Sequence, residues 1–253
     1  RIGEAMTPDS LYLRDAARRP REPGISQLDK VPILECGEPL VDVRQVCHGM
    51  RVSAPLPWLR LTVCGMLQRA SDSLPSQLTL LVATGLRTMD MQAAGYSTYR
   101  ESLREAHPNW PQSTLNREAN RFFHPPHAKA PPGHTTGGAV DVRLLADGDE
   151  LDMWSTLLAT DARTWHTFHR GLTPQAREGR QILYDAMVGA GFSNCYDEWW
   201  HYSYGDSGWA CRLDRPHAVY GQVAEEDYPP ELLAEVRKLR KTGKLTRLMR
   251  SRK

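Results

Sequence analysis

Two apolar periods alternate along this chain, and together they restrict what it can fold into. Leu78-Thr-Leu-Leu-Val-Ala and Ala139-Val-Asp-Val-Arg-Leu-Leu have the short apolar runs of strands. Leu59, Val63, Met66 and Leu67 instead recur at helical spacing, which predicts a helix over 58–74 that stops at S-L-P. M-Q-A-A-G-Y-S-T-Y-R-E-S-L-R-E-A-H reads as another helix with a break point at Gly95. The clearest helix follows Thr173 as N-cap, with Pro174 in its first turn and glycine at its end. Strands interleaved with helices in one core predict the α+β class, a central mostly antiparallel sheet flanked by helices.

The remaining segments read as connections, edges and a last helix. Residues 1–57, rich in Pro, Gly and Arg, suggest loops and short edge strands wrapped on a body. Residues 108–133, with N-W-P, P-P-H and A-P-P-G, read as an irregular loop that lines or covers a cleft. Aromatic-rich 192–204 reads as one strand, and Pro229-Pro230 opens a surface helix. A chain of 253 residues buries a full core without disulfides or a structural metal. We read 1–253 as a single domain, with 1–57 an irregular wrap, 58–210 the core and 211–253 a C-terminal extension.

Composition narrows the function classes. With 40% apolar residues, 25% charged residues and a net charge of +2, the chain has an ordinary globular profile and nothing that suggests nucleic acid. The basic C-terminal K-L-R-K-T-G-K-L-T-R-L-M-R-S-R-K lacks interleaved aromatics and reads as a solvated helical tail. Five scattered cysteines without a C-x-x-C pair indicate neither a disulfide framework nor a thiolate zinc knuckle, which points to a reducing, cytoplasmic compartment. No stretch is long and apolar enough to span a membrane; the chain starts at Arg1, which leaves room for a removed leader.

Chemistry concentrates in P-P-G-H-T-T-G-G-A-V-D-V at 131–142 and D-E-W-W-H-Y at 197–202. Zinc takes imidazole nitrogens and a carboxylate oxygen and leaves a position for water when three protein ligands bind; His134, Asp141 and His201 supply that number. Strand alternation puts Ala139 and Asp141 on one face and Val140 and Val142 on the other, so the acid can face a cleft while the valines pack. Gly137 and Gly138 permit the bend that returns His134 to Asp141. Glu198 and His201, three apart, fall on opposite faces of a regular strand, so only a bulge, bend or turn makes them converge. Glu198 could then move a proton from an attacking water to a leaving amine, and Arg87, in G-L-R-T, could meet the charge that develops on the carbonyl oxygen. On residue types alone, ordinary hydrogen-bonded polar residues are the alternative, with Trp199 and Trp200 as core or cleft packing.

These segments resemble a known family. P-G-H-T-T-G-G-A-V-D at 132–141 is similar to the S-x-H-x-x-G-x-A-x-D pattern of D-alanyl-D-alanine dipeptidases of the VanX type, and E-W-W-H at 198–201 matches their motif outright. Y-S-Y-G-D-S-G-W-A, L-L-V-A-T-G-L-R-T-M-D-M-Q and E-L-D-M extend the likeness over about 60–210. These zinc peptidases are related in fold to D-Ala-D-Ala carboxypeptidases and the Hedgehog signalling domain. The resemblance implies a Hedgehog/DD-peptidase-like fold and one Zn2+ per chain on His134, Asp141 and His201. It also implies Glu198 as base, Arg87 as transition-state stabiliser and a small peptide substrate.

Two positions depart from the pattern. Pro132 stands where the motif has serine, and Leu158 stands where many members have the acid that holds the dipeptide ammonium; Asp161, Glu150 and Asp152 are the neighbouring acids. A buried ammonium without a partner is costly, so an N-blocked peptide or a peptidoglycan fragment competes with D-alanyl-D-alanine as substrate. A non-enzymatic binding protein of this fold is a further alternative, although binding alone needs neither Glu198 nor Arg87.

Overall fold

The computed structural model describes residues 10–18, 20–154 and 165–242. Helices α1 (Leu11–Arg18) and α2 (Ile25–Leu28) lead to strand β1 (Leu40–Asp42), helix α3 (Val43–Val46) and strands β2 (Arg51–Val52) and β3 (Trp58–Arg60). Next come α4 (Leu61–Asp72), β4 (Leu78–Thr84), α5 (Met89–Ala106) and α6 (Gln112–Phe122). Strands β5 (Ala139–Ala146) and β6 (Asp149–Glu150) precede α7 (Pro174–Gly189), β7 (Ser193–Asn194), β8 (His201–Ser203), α8 (Ser207–Arg212) and α9 (Pro230–Lys241).

The main sheet has the order β2-β4-β5-β8-β7, with β6 folded back on β5. The β2–β4 pairing is parallel and the others in this sheet are antiparallel, the α+β arrangement expected. Across its centre Leu80 faces Leu144, Val82 faces Val142 and Val140 faces Tyr202, all with 1% exposure or less. Helices α4 and α7 cover this face with Val63, Leu67, Leu183 and Met187, which are fully buried. The Thr173 hydroxyl caps α7 by accepting from the Ala176 amide, with Pro174 at the first helical position.

Five sequence expectations need correction. Residues 58–60 form β3 rather than the first turn of α4, because the Arg60 amide donates to the Gly137 carbonyl and Trp58 accepts from the Leu86 amide, partners far away in the chain. The 108–133 segment contains α6, which lies between Pro111 and Pro125 and meets α5 where the Tyr96 hydroxyl donates to Asn120. Helix α5 runs through Gly95 unbroken. The 192–204 strand is two short strands joined by a turn. In the N-terminal wrap, α1 is a helix that buries Tyr12, whose amide donates to Asp185 on α7 at 2.7 Å.

Helix α9 is more than a surface helix. Its Leu232 and Val236 are fully buried in a second cluster with Leu40, Leu56, Trp58, Leu86 and Met91, and the Trp58 indole donates to Glu235. The basic residues from 243 onward lie outside the described residues. All five cysteines are free, and no helix among the described residues is long and apolar enough to cross a membrane.

Leu144 sits at the middle of β5 with no exposure, so Leu144→Ala leaves a cavity between the sheet and its helices. The expected loss is about 2–5 kcal/mol of stability, read as a lower midpoint in urea denaturation.

Candidate metal centre

The face of β5 opposite the core carries Asp141. On its β8 side Asp141 pairs with His201, and residues paired across strands share a face. On its β4 side the register shifts between Val82 and Thr84, so that Ala83 and Thr84 together oppose Asp141. This bulge redirects the end of β4 and leads Gly85, Leu86 and Arg87 along the same spot. His134 arrives from the other direction, on the single 3-10 turn Gly133–Thr136 just before β5. Gly137 at φ 71° ends that turn in the left-handed region and folds the chain back into the strand.

His134 Nε2 and His201 Nδ1 each lie 3.0 Å from Asp141 Oδ1. The three candidate ligand atoms fall within 4.8 Å of one another, and the two imidazole rings are tilted at 75°. Asp141 Oδ2 accepts from the Arg87 guanidinium at 3.3 Å, and the Arg87 amide donates to the His134 carbonyl at 3.0 Å. The structure therefore brings His134, Asp141, His201 and Arg87 together. Glu198 lies half-buried in the turn between β7 and β8. Its amide donates to the Cys195 carbonyl and its own carbonyl accepts from the His201 amide, so two successive tight turns replace the regular strand. A turn, and not a regular strand, therefore separates Glu198 from His201.

Electrostatics at the cluster favour a cation. Burial, with the Arg87 charge nearby, pushes the His134 imidazole down to about 4, so it is neutral near pH 7. Its Nδ1 lies 2.9 Å from the Gly85 carbonyl, which can only accept, and so Nδ1 carries the single proton. Nε2 is then a bare lone pair facing a carboxylate oxygen. For Asp141, burial pushes the carboxyl up, but the hydrogen bond from His201 and the Arg87 charge hold the group ionised well below its ordinary range. For His201, burial pulls down, yet the Asp141 hydrogen bond and the charges of Asp141 and Glu198 leave the imidazole raised. Two imidazoles and an ionised carboxylate, with one lone pair fixed by a second hydrogen bond, are a donor set that fits zinc.

Sequence reasoning missed two supports. The Gly85 carbonyl fixes the His134 ring, and Gln92, 2% exposed, accepts from Arg87 at 3.5 Å while donating to the His124 carbonyl. Gly85 reads only as a turn residue in the sequence. Its other constraint is spatial: a Cβ there would lie 2.6 Å from the Leu56 carbonyl oxygen. At the departures, the Pro132 carbonyl accepts from the Thr135 hydroxyl at 2.8 Å. Glu150 is held by Arg143 at 2.7 Å on the β5–β6 hairpin, and Asp152 accepts from the Trp154 amide. Leu158 and Asp161 lie outside the described residues.

Residues 64–222 match the family model of D-Ala-D-Ala dipeptidases, peptidase family M15. The chain belongs to this family. Among its members, it is 32% identical over 105 residues to a D-alanyl-D-alanine dipeptidase of Synechocystis sp. (strain ATCC 27184 / PCC 6803 / Kazusa), covering 37% of this chain and 42% of the relative. It is 34% identical over 70 residues to the D-alanyl-D-alanine dipeptidase of Escherichia coli (strain K12), covering 27% and 36%. The matches thus span less than half the length of these relatives. A solved D,D-pentapeptidase VanY from a VanB-type vancomycin resistance cassette, in complex with Zn(II), is similar at 17% identity and a TM-score of 0.41 over 74% of this chain and 92% of that one.

For this M15 chain, the Gly85 contact is directly testable. Gly85→Ala must displace either the Leu56 backbone or the carbonyl that holds His134. Zinc affinity, measured by competition with a chromogenic chelator, is expected to fall about 10–100-fold.

Proposed function

We propose that this chain is a zinc-dependent dipeptidase that hydrolyses the amide bond of D-alanyl-D-alanine or a closely related small D-amino-acid dipeptide. The observation that carries this reading is the convergence of His134, Asp141 and His201, whose candidate ligand atoms lie within 4.8 Å of one another, with Arg87 on the other carboxylate oxygen. In the proposal, His134, Asp141 and His201 hold one zinc ion, which supplies the Lewis acidity that polarises a carbonyl and acidifies water.

The chain's own groups then divide the work. Glu198 accepts a proton from the attacking water and returns it to the leaving nitrogen, which departs as an amine. Arg87 contributes N–H donors and positive charge as the carbonyl oxygen becomes anionic. The Gly85 carbonyl keeps the His134 proton on Nδ1, and Arg87 on Oδ2 leaves Asp141 Oδ1 directed at both imidazoles. Support for the substrate comes from family membership and from the dipeptidase relatives.

One observation favours a second reading, an N-blocked small peptide or a peptidoglycan fragment. Pro132 provides no hydroxyl, and Glu150, one of the acids weighed as a stand-in for the family's ammonium partner, is bound to Arg143. Faster turnover of N-acetyl-D-alanyl-D-alanine than of the free dipeptide would select this reading; strict dependence on the free amine would remove it.

Release of D-alanine from D-alanyl-D-alanine by zinc-loaded protein tests the first reading. Glu198→Gln is expected to lower kcat about 10²–10⁴-fold while the protein still binds one zinc. Parent-level turnover by that variant would exclude Glu198 as the base.

A further inference from the structure

Asn194, the last residue of β7, has 2% exposure and a side chain enclosed by the turn that carries Glu198. Its Nδ2 lies 3.0 Å from the His201 carbonyl and 3.4 Å from each of the Glu198 and Trp199 carbonyls. Three carbonyl oxygens around one terminal atom identify that atom as the amide nitrogen, because an oxygen there would face only acceptors. The other terminal atom, Oδ1, accepts from the Thr167 hydroxyl at 2.6 Å, which fixes the amide in this orientation. The backbone around it is tied in as well. The Thr167 amide donates to the Tyr196 carbonyl, and the Trp199 amide donates to the Trp165 carbonyl.

We infer that Asn194 is the positioning residue of this centre: its amide group sets the turn that brings Glu198 and His201 to their working places. The inference rests on the reading of Glu198 as base and His201 as ligand. The physical reason lies in the turn itself. Residues 195–200 form a turn outside the regular strands, closed by the Cys195 amide on the His201 carbonyl and tied to β5 by the Val142 amide on the Trp200 carbonyl, while two residues spaced for opposite faces must act on one side. Asn194 adds to these bonds from the inside, its two N–H groups shared among the carbonyls of residues 198, 199 and 201, in a site dry enough that water cannot substitute for them.

Asn194→Asp keeps the shape and exchanges the donors for a second acceptor pointed at three carbonyls. Thr167→Val leaves Asn194 in place and removes the hydroxyl that orients it. With the full chain at saturating zinc, Asn194→Asp is expected to lower kcat for D-alanyl-D-alanine about 10–100-fold, with KM held within about twofold, and to weaken zinc in chelator competition by a similar factor. Thr167→Val is expected to give a smaller loss in the same direction. Asn194→Gln, which restores the donors on a longer arm, should recover part of kcat.

Parent-level kcat and zinc affinity in either Asn194→Asp or Thr167→Val would overturn the inference. So would losses in both that follow a fall in thermal stability alone, with KM and kcat changing together. If Asn194→Asp does not fold, the Thr167→Val pair of measurements decides. An inactive parent that binds zinc would count against the proposed activity, whereas the zinc affinities of the variants would still test Asn194.

Discussion

The Asp141 carboxylate, 2% exposed, meets His134 and His201 through Oδ1 and Arg87 through Oδ2. A charge taken so far out of water is tolerable only where cationic or cation-binding groups surround it. That requirement reaches well beyond the acid. It draws the end of β4, the turn before β5 and the start of β8 to one point, and each arrives by a local departure from regular structure. Beside Asp141 there is a bulge, before it a left-handed glycine, and just ahead of His201, its partner on β8, a turn in place of a strand.

The sheet makes this arrangement affordable to the fold by keeping its two tasks on separate faces. Val140, Val142 and Tyr202 are buried against α4 and α7, while Asp141 and His201, their neighbours in sequence, face the other way. A register slip of one residue would bury the acid in the core and expose the valines, so the packing of the core face also fixes the site. The irregular elements sit where that packing ends. Helix α9, which lies beyond the part of the chain that matches the family model, packs on Leu86 and Met91 on either side of Arg87 and Thr88. It thereby joins the C-terminal extension to the segment that carries the arginine.

Legibility from sequence followed the range of the forces involved. Strands β4 and β5 and helix α7 could be read because their apolar period, cap and proline act within a few residues. The helices α1 and α6 could not. Tyr12 of α1 is held by contacts with α7, and α6 is enclosed by prolines that read as loop punctuation. At the site, residue types and motif spacing pointed to His134, Asp141, His201, Glu198 and Arg87. Gly85, Gln92 and Asn194 have no signature of their own, since what they do depends on what lies beside them in space.

From the sequence alone came the α+β class, the two chemical segments, the donor types suited to zinc and the need for a turn between Glu198 and His201. Tertiary structure decided which nitrogen of His134 bears its proton, how the ends of β4 and β7 support the cluster, and that Arg87 leans on Asp141. The reason is physical. The hydrogen bonds that settle these points join residues 49 positions apart at Gly85 and His134, and 60 apart at Asp141 and His201. Local pattern carries no record of contacts at that separation; they exist only once the core face of the sheet has packed.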